Sequence, residues 1–410
     1  MATDDRHSEQ SRTAHTSSGT NQTAIPERTT TRRTFLAAGG STAAIAVAGC
    51  LGGDNPDEVS FGTLPIAAVA EVFIADELGY FEERDIELDI ERIEGFGQVV
   101  PRLASGDMDV ATGSITAGLT NAIAGGQPVR VVADQTQYWE QQPSANRFWV
   151  HEDYYTEDMT VDTLSEQLPE EFTYAVNVEG GSITYLLGRL LTHTDITFEN
   201  VEIVEMPFPQ MVSAMAEGDI DMCSIPDPAG LQMASEAGAG QLMYGSQLAP
   251  RMQIGVYLYG EPFMDERPDV ARRWLEAYLL GVREYYEMGG FQDEAVADII
   301  SEAIELPAAV IRSSVPSLPH KNGRVNTDSL LSQQAFFECR GFMDETVEAS
   351  EMVNEQFLEE ALENVGELDD EEATPAVSTI DEWRENAPTP WPEVGELLEP
   401  ETFPDDSQCV

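Results

Sequence analysis

The sequence predicts an α/β protein with two similar lobes, each built around a mainly parallel β-sheet. From residue 59 onward, short runs of apolar and β-branched residues alternate with stretches that carry one apolar helical face. The same alternation begins again after residue 170. A Gly-Asp-x-Asp phrase occurs at Gly106 and again at Gly218, each time between a predicted helix and a predicted strand. Such alternation is typical of parallel sheets covered by helices on both faces.

The hydrophobic pattern places the elements of the two lobes in order. The first lobe has predicted strands at 59–63, 86–91, 109–112 and 129–133, and helices at 68–78, 98–104 and 116–124. The second has strands at 172–176, 201–205 and 222–225, and helices at 182–191 and 210–216. We interpret 139–153 and 253–259 as the segments where the chain crosses between lobes.

Beyond Pro262 the pattern becomes helical. An apolar face from Val270 to Val282 predicts one helix, and further helices are expected at 293–303, 327–337 and 345–362. The acidic, proline-rich segment after Asp369 is expected to be an extended wrap or disordered.

The N-terminal segment has the features of an export signal. Arg32 and Arg33 precede a short run of small and apolar residues that ends at Cys50. A twin arginine followed by a small-small-Cys site is typical of a twin-arginine signal with a lipoprotein box. The run is shorter than a membrane span, although an N-terminal anchor helix is the alternative. We therefore expect cleavage before Cys50 and lipidation of its thiol.

Together these patterns divide the chain into five parts. They are a signal peptide (1–49), a tether (50–57), a first lobe (58–150 and 251–340), a second lobe (151–250) and an acidic C-terminal helical extension and tail (341–410).

Charge is the most unusual property of the composition. The chain has 75 acidic and 21 basic residues, a net charge of −54, and a single lysine, Lys321. The acidic excess is spread along the chain, which favours adaptation to molar salt, where carboxylates are screened from one another. An acidic domain that binds a basic partner is the alternative and would concentrate its charge in one tract. Nucleic-acid binding is excluded, because no basic stripe is present.

Cysteine and histidine provide little for metal or redox chemistry. Beyond Cys50 the chain has Cys223, Cys339 and Cys409, so one disulfide is possible and its pairing is open. Their spacing fits no metal motif, and the five histidines leave little material for a metal cluster. We expect neither a metal nor a cofactor.

Ligands of open α/β sheets bind at the carboxyl ends of the strands, which directs attention to the loops there. Two of these loops, one in each lobe, place Gly-Ser at or near a predicted helix start, at Ser114 and Ser182. Backbone N–H groups and a hydroxyl at a helix start can clamp an anion or a carbonyl, although such a serine is often only an N-cap. Gln135 follows another strand, and Asp227 lies between two prolines where it can face a cleft.

No catalytic motif accompanies these loops. A Gly-x-Ser-x-Gly elbow, a phosphate-binding loop ending in Lys-Ser/Thr and a His-Glu-x-x-His helix are all missing from the sequence. Two lobes, a cleft, export and a lipid tether favour a binding function over an enzyme.

Several segments resemble one family of binding proteins. Residues 77–83 (ELGYFEE), 101–110 (PRLASGDMDV) and 124–129 (AGGQPV) are similar to the first lobe of substrate-binding proteins of nitrate/sulfonate/taurine-type ABC importers. In the second lobe, 181–182 (GS), 206–211 (MPFPQM) and 217–221 (EGDID) are similar again. The group also includes proteins that bind thiamine-pyrimidine precursors and bicarbonate.

The resemblance implies a periplasmic-binding-protein-like fold of type II and a monomer on the extracytoplasmic face of the membrane. It implies lobes that close on a small solute by hinge motion at the crossings near 150 and 250, and partners that are a permease and an ATPase. Family contacts map onto the loops after the first and third strands and onto the second-lobe helix start, which are Pro65, Thr112, Gly113, Ser114, Gly181, Ser182 and Ile183. Family members often have Trp-Glu-Pro where this chain has Ile-Pro-Asp-Pro at 225–228, so the resemblance does not identify the solute.

Two alternatives to an import receptor remain open. One is an enzyme of thiamine-pyrimidine synthesis on the same fold, which requires a reactive histidine and a lysine-bound cofactor in the cleft. Lys321 lies outside both predicted lobe cores, and His193 lies in a polar, loop-like stretch. The other is a binding protein that serves a surface sensor.

Overall fold

The computed structural model describes residues 56–389 together with 391, 392, 394–396 and 398. The expected export residues Arg32 and Arg33, the lipidation site Cys50, and Cys409 lie outside these residues. Within the described part of the chain no helix is long and apolar enough to cross a membrane. Cys223 is buried and free, whereas Cys339 is disulfide-bonded.

Five strands form the first sheet. They are β1 (Asp57–Thr63), β2 (Ile86–Arg92), β3 (Val110–Ser114), β4 (Val129–Gln137) and β10 (Gln253–Gly260). Their order is β2–β1–β3–β10–β4. β1 is parallel to β2 and β3, whereas β10 is antiparallel to its neighbours β3 and β4.

The second sheet repeats this plan. Its strands are β5 (Asn146–Val150), β6 (Phe172–Val176), β7 (Val201–Glu205), β8 (Met222–Pro226) and β9 (Gly240–Tyr244), in the order β7–β6–β8–β5–β9. β6 is parallel to β7 and β8, and β5 is antiparallel to β8 and β9. The α/β fold with two similar sheets that the sequence predicts is confirmed.

Each sheet receives its antiparallel strand directly after a crossing of the chain. The first crossing, residues 138–145, joins β4 to β5, and the second, residues 245–252, joins β9 to β10. Residues 146–150, which the sequence analysis places at the end of the first lobe, are therefore a strand of the second sheet. All five residues of β5 are buried, so the alternation that reveals a half-buried strand is absent there.

The α-helices up to the second crossing are α1 (Ala70–Glu77), α2 (Val99–Ser105), α3 (Ala117–Ala124), α4 (Leu164–Gln167), α5 (Ser182–Leu191), α6 (Phe208–Glu217), α7 (Ala229–Ser235) and α8 (Gly245–Leu248). The later ones are α9 (Glu261–Glu266), α10 (Pro268–Met288), α11 (Glu294–Ile304), α12 (Ala308–Ser313), α13 (Thr327–Cys339), α14 (Ala349–Met352), α15 (Gln356–Val365), α16 (Asp370–Ala373) and α17 (Val377–Asn386).

The C-terminal region differs from the expectation in two places. The single helix predicted over 345–362 is divided into α14 and α15, because Val353 forms a bridge with Val131 of β4 and the Asn354 N–H donates to the Val131 carbonyl (2.8 Å). The segment after Asp369, expected to be extended or disordered, contains α16 and α17. The Asp369 side chain caps α16 by accepting two backbone N–H groups.

The repeated Gly-Asp-x-Asp phrase has the same local structure in both lobes. Gly106 and Gly218 end α2 and α6 with φ of 78° and 77°, a left-handed conformation that glycine adopts without steric cost. In each copy the second aspartate accepts a backbone N–H from the neighbouring parallel strand. Asp109 accepts from Ser60 of β1 (3.0 Å), and Asp221 accepts from Thr173 of β6 (2.7 Å). The phrase is therefore a helix-to-strand connection with a structural role.

A carboxyl group without a cation is buried in the first lobe. Glu71 of α1 is 1% exposed, and its Oε1 accepts a hydrogen bond from the Tyr257 hydroxyl (2.6 Å). Tyr257 packs edge-on against Trp274 and Tyr278 of α10, with ring centroids 5.2 and 4.9 Å apart. Burial raises the pKa of Glu71 from 4.5 to about 8, because the charged form loses its hydration.

This buried acid makes the stability of the fold depend on pH. The folded chain keeps a proton on Glu71 between about pH 4.5 and pH 8, whereas the unfolded chain loses it. The free energy of unfolding should therefore fall as pH rises through this window, by at most about 1.4 kcal/mol per pH unit from this one group. Glu71→Gln should make the fall shallower in chemical denaturation curves recorded at constant salt.

Glu284→Gln is the matched control, because Glu284 also accepts a tyrosine hydroxyl, from Tyr80 (3.0 Å), at a half-buried position. It should leave the slope unchanged. Equal slopes in the parent protein and Glu71→Gln would contradict the buried protonated state.

Candidate functional site

Loops at the carboxyl ends of the parallel strands in the two lobes meet at a seam. Thr116, just before α3, forms an isolated antiparallel bridge with Gly181, just before α5. The Ala117 N–H donates to the Gly180 carbonyl (2.8 Å), and the Ser182 hydroxyl lies 3.0 Å from the Ile115 carbonyl. The first-lobe loop after β3 and the second-lobe helix start, both predicted from the sequence, are therefore in direct contact.

Ser182 occupies the centre of this seam. It is 3% exposed, and its hydroxyl lies between two acceptors, the Ile115 carbonyl and Gln333 Oε1 (2.9 Å). Because a hydroxyl has one proton, it can donate to only one of them at a time. Gln333 also donates from Nε2 to the Gln253 carbonyl (2.8 Å), so α13 ties the start of α5 to β10.

Sequence analysis did not identify Gln333. Its helix has glutamines buried at positions 333 and 334, where an amphipathic helix would usually carry apolar residues. These two adjacent glutamines within a predicted helix were the sequence signal that could have identified Gln333.

The other predicted first-lobe contacts are spread over different environments. Pro65 is exposed in the loop after β1, and Ser114 is half-buried with its hydroxyl 3.5 Å from the Ile254 carbonyl. Thr112 and Gly113 lie within β3 rather than in the loop. The Thr112 hydroxyl bonds the Thr63 hydroxyl (3.2 Å), and a Cβ on Gly113 would be 2.6 Å from Leu258 Cδ1. In the second lobe Ile183 is a buried residue of α5.

Gln135 is occupied inside the first lobe. It lies within β4, is 3% exposed, and donates from Nε2 to the Ala68 carbonyl. Its neighbour Asp134 is fully buried and accepts hydrogen bonds from the His320 N–H (2.6 Å) and from Gln253 Nε2 (2.6 Å). Burial raises the pKa of Asp134 to about 7, although these hydrogen bonds act in the opposite direction.

Asp227 is buried in an ion pair rather than exposed to a cleft. It accepts a hydrogen bond from the Arg147 guanidinium and another from the Val315 N–H (2.8 Å). Burial raises the pKa of Asp227, and Arg147 partly offsets this. The guanidinium carbon lies 5.6 Å from the Trp149 ring and 5.8 Å from the Tyr244 ring, so the cation packs between two aromatic side chains.

The two buried aspartates hold one extended segment, residues 314–320, which we call the strap. Asp227 accepts the N–H at its beginning, and Asp134 accepts the N–H at its end. Between them the strap carbonyls accept from first-lobe and crossing side chains. The donors are Tyr285 to Ser317 (3.1 Å), Trp139 Nε1 to Leu318 (2.8 Å) and Tyr286 to Pro319 (2.9 Å).

The strap is buried although it has no regular secondary structure, because side chains bond its polar backbone groups. Its N–H groups at 315 and 320 and its carbonyls at 317, 318 and 319 all have side-chain partners, so their desolvation is compensated. Trp139 of the first crossing takes part in this packing. Tyr138 and Trp139 of the crossing and Phe148 and Trp149 of β5 are each at most 4% exposed, so all four belong to the core.

Two cavities of the described residues lie away from the seam. One of about 470 Å³ is lined by residues that include Arg130, Glu261 and Phe357. Another of about 260 Å³ lies between the first crossing and α17. The seam itself is closed by the contacts of Thr116, Gly181 and Ser182. The described residues contain no cluster of three or more His, Cys, Asp or Glu side chains that could hold a metal ion.

The residues of the enzyme alternative are on different elements. Lys321 follows the strap, with its Nζ 5.0 Å from the Tyr286 ring of α10. His193 follows the C-terminal end of α5, whereas the seam is at the start of that helix. The structure therefore does not bring a lysine and this histidine together at the seam.

Comparison with known proteins identifies a family. Residues 52–299 match the NMT1-like family. No curated protein matches the sequence at a significant level.

Solved structures of binding proteins have a similar fold. The periplasmic nitrate-binding protein of Synechocystis PCC 6803 aligns with a TM-score of 0.62 and 14% identity over 78% of this chain and 91% of its own. The alkanesulfonate-binding protein of Xanthomonas axonopodis pv. citri, bound to MOPS, aligns with a TM-score of 0.57 and 17% identity over 73% and 99%. The fold and family expected from the resemblance are confirmed.

A desulfurization enzyme shares the fold as well. It aligns with a TM-score of 0.53 and 16% identity over 75% of this chain and 99% of its own. At such identities the likeness shows the fold alone, since one fold can host binding proteins and enzymes.

The buried ion pair provides a test of the site's construction. Asp227→Ala leaves Arg147 buried without its carboxylate, and loss of one partner of a buried pair costs about 3–5 kcal/mol. We expect a loss of this size in the free energy of unfolding, measured by chemical denaturation. Asp269→Ala is the control, because Asp269 pairs with Arg272 and Arg273 at an exposed position and its loss should cost about 1 kcal/mol or less. Equal losses in the two variants would contradict the structural role assigned to Asp227.

Proposed function

Because the chain belongs to the NMT1-like family, we propose that it is the solute-binding receptor of an ABC importer. It closes its two lobes on a small solute and delivers that solute to a membrane permease that works with an ATPase. The observation that carries this proposal is the seam, where the loop after β3 of one lobe meets the start of α5 of the other. The two chain crossings join the lobes, and lobes joined in this way can separate at a hinge.

The polar groups of the seam suit a binding site that opens and closes. The Ala117 N–H, the Gly180 carbonyl, the Ser182 hydroxyl and the Ile115 carbonyl bond one another across the seam. When the lobes separate, these groups lose their partners and become available to a solute. A solute that replaces their hydrogen bonds satisfies them again as the lobes close.

The seam favours a small anion. The helices α3 and α5 both begin there, one from each lobe, with caps at Thr116 and Gly181. Helix starts present unpaired N–H groups and the positive end of the helix dipole. We therefore propose a nitrate-, sulfonate- or bicarbonate-like solute, with a pyrimidine as the alternative. Its contacts would be Pro65, Ser114, Gly181, Ser182 and Ile183, with the backbone of residues 115–117 and 180.

Solute binding can be measured directly. The mature protein in molar salt should show a raised melting temperature and a calorimetric binding signal with at least one of nitrate, an alkanesulfonate, bicarbonate and hydroxymethylpyrimidine. Ser182→Leu fills the centre of the seam and should reduce the affinity at least about a hundredfold, because the hydroxyl is lost and the lobes cannot close over the larger side chain.

Ser235→Leu is the matched control, because Ser235 is exposed on α7 and bonds only within its own helix. It should bind like the parent. If none of these four solutes binds while an unrelated sugar or metal does, the proposed solute class is wrong. Unchanged solute affinity in Ser182→Leu would show that the seam is not part of the binding site.

We also propose that the receptor is lipid-anchored on the extracytoplasmic face of the cell membrane. The twin arginine Arg32–Arg33 and the site before Cys50 support export by the twin-arginine route and lipidation at Cys50. That route carries folded cargo. The net charge of −54 supports a chain that folds in molar salt before it is exported.

Replacement of the lipidated residue tests the anchor. Cys50→Ser should move the protein from the membrane pellet to the soluble fraction, because the thiol that carries the lipid is gone. Cys223→Ser should leave the protein on the membrane. Cys223 is a free cysteine that is fully buried, so its thiol is inaccessible to a lipid-transferring enzyme. Membrane association of the Cys50→Ser protein would contradict the anchor.

A further inference from the structure

The C-terminal extension connects the first lobe to both chain crossings. On the first-lobe side, Trp383 of α17 stacks on Tyr286 of α10, with ring centroids 5.7 Å apart, and packs edge-on against Tyr285. A Cβ on Gly290 would be 2.5 Å from the Trp383 ring, so α17 lies close against the backbone after α10. Ile380 and Trp391 are buried in the same core. The extension is therefore fixed to the first lobe.

On its other side the extension accepts hydrogen bonds from three residues of the crossings and the second sheet. Gln142 of the first crossing donates to the Pro375 carbonyl (2.7 Å). Tyr244, the last residue of β9, donates to the Pro392 carbonyl (3.1 Å). Gln247 of the second crossing donates to the Glu396 carbonyl (3.2 Å), and its own carbonyl accepts the Leu398 N–H (2.9 Å).

The crossings are also joined to each other at the same point. The Ser246 hydroxyl donates to the Gln142 carbonyl (2.7 Å), and the Ser246 N–H donates to the Ser144 hydroxyl (3.1 Å). Hinge motion of a two-lobed receptor changes φ and ψ at a few residues of such crossings. A segment that is fixed to one lobe and bonded to both crossings resists this change.

Proline explains how the segment can accept these bonds. Residues before and within this region include Pro375, Pro388, Pro390 and Pro392, which cannot donate to a helix or a sheet. The Pro375 and Pro392 carbonyls accept hydrogen bonds from side chains in place of regular backbone partners. The acidic extension, to which sequence analysis assigned no function, therefore has a defined place at the hinge.

We propose that the described residues between 375 and 398 form a clamp that holds the hinge in the closed arrangement and lowers the population of open lobes. This inference rests on the proposed receptor function, because it assumes that the lobes open and close. Because the clamp is fixed to the first lobe, its bonds to Gln142, Tyr244 and Gln247 must break or distort when the crossings move. Each bond of the clamp therefore adds to the free energy of opening.

Two isosteric substitutions remove donors of the clamp without removing volume. Tyr244→Phe removes the hydroxyl that donates to the Pro392 carbonyl. Gln247→Glu replaces the NH₂ group that donates to the Glu396 carbonyl. It keeps the oxygen that accepts the Tyr244 N–H (2.9 Å). Tyr259→Phe is the matched control, because its hydroxyl donates to the Ala271 carbonyl (2.8 Å) inside the first lobe, away from the hinge.

The distance between the lobes is measured by electron paramagnetic resonance on the full mature chain without any solute. Nitroxides are attached at Gly97→Cys and Gln210→Cys, exposed positions near the carboxyl ends of β2 and β7. Cys223 is fully buried and should not react with the label. Loss of one ordinary hydrogen bond shifts an equilibrium about fivefold. We therefore expect the ratio of long to short distances to rise about fivefold in Tyr244→Phe, at least as much in Gln247→Glu, whose carboxylate also faces the Glu396 carbonyl, and further in the double variant.

The Tyr259→Phe control shows whether a change in the distance between the lobes comes from the clamp. A rise in the two hinge variants with none in Tyr259→Phe supports the clamp. The same distance distribution in the parent and in folded Tyr244→Phe and Gln247→Glu overturns it, as does an equal rise in Tyr259→Phe. Because no solute is present, failure of all four solutes in the binding screen would count against the proposed solute class and would leave this measurement unaffected.

Discussion

The two chain crossings are the constraint on which the rest of the structure depends. Residues 138–145 and 245–252 deliver β5 and β10 into interior positions of the second and the first sheet. An interior strand is hydrogen-bonded on both sides, so neither β5 nor β10 can leave its sheet without breaking two ladders. The lobes are therefore connected side by side, and the carboxyl ends of their parallel strands meet at one seam. The starts of α3 and α5 face each other for this reason.

A second consequence concerns the chain beyond the second sheet. The strap passes from Asp227 of one lobe to Asp134 of the other, and each carboxylate accepts a backbone N–H that no strand or helix satisfies. Asp227, which sequence analysis placed at a cleft, is in this way used to bury the strap. The groups at the seam, which we propose as the binding site, instead have partners in the opposite lobe.

Much of the fold was predictable, and the exceptions have specific physical causes. The parallel strands and their helices agree closely with the sequence pattern, because apolar periodicity is encoded within each element. β5 was assigned to the wrong lobe because all its residues are buried and show no alternation. The helix expected over 345–362 is interrupted where Val353 pairs with Val131, a residue more than two hundred positions earlier. Long-range pairing of this kind overrides local propensity.

The sequence by itself determined the two-lobed α/β plan, the repeated helix-to-strand connection, and the loops that meet at Ser182. These features depend on patterns a few residues long. Only the tertiary structure decided which polar side chains remain at the seam. Asp227 looked like Ser182 in the sequence, since both follow a strand at its carboxyl end. Yet Arg147 and Val315, which lie 80 and 88 residues away along the chain, both donate to its Oδ2. A side chain's hydrogen-bond partners are set by packing, and packing joins residues that local patterns cannot relate.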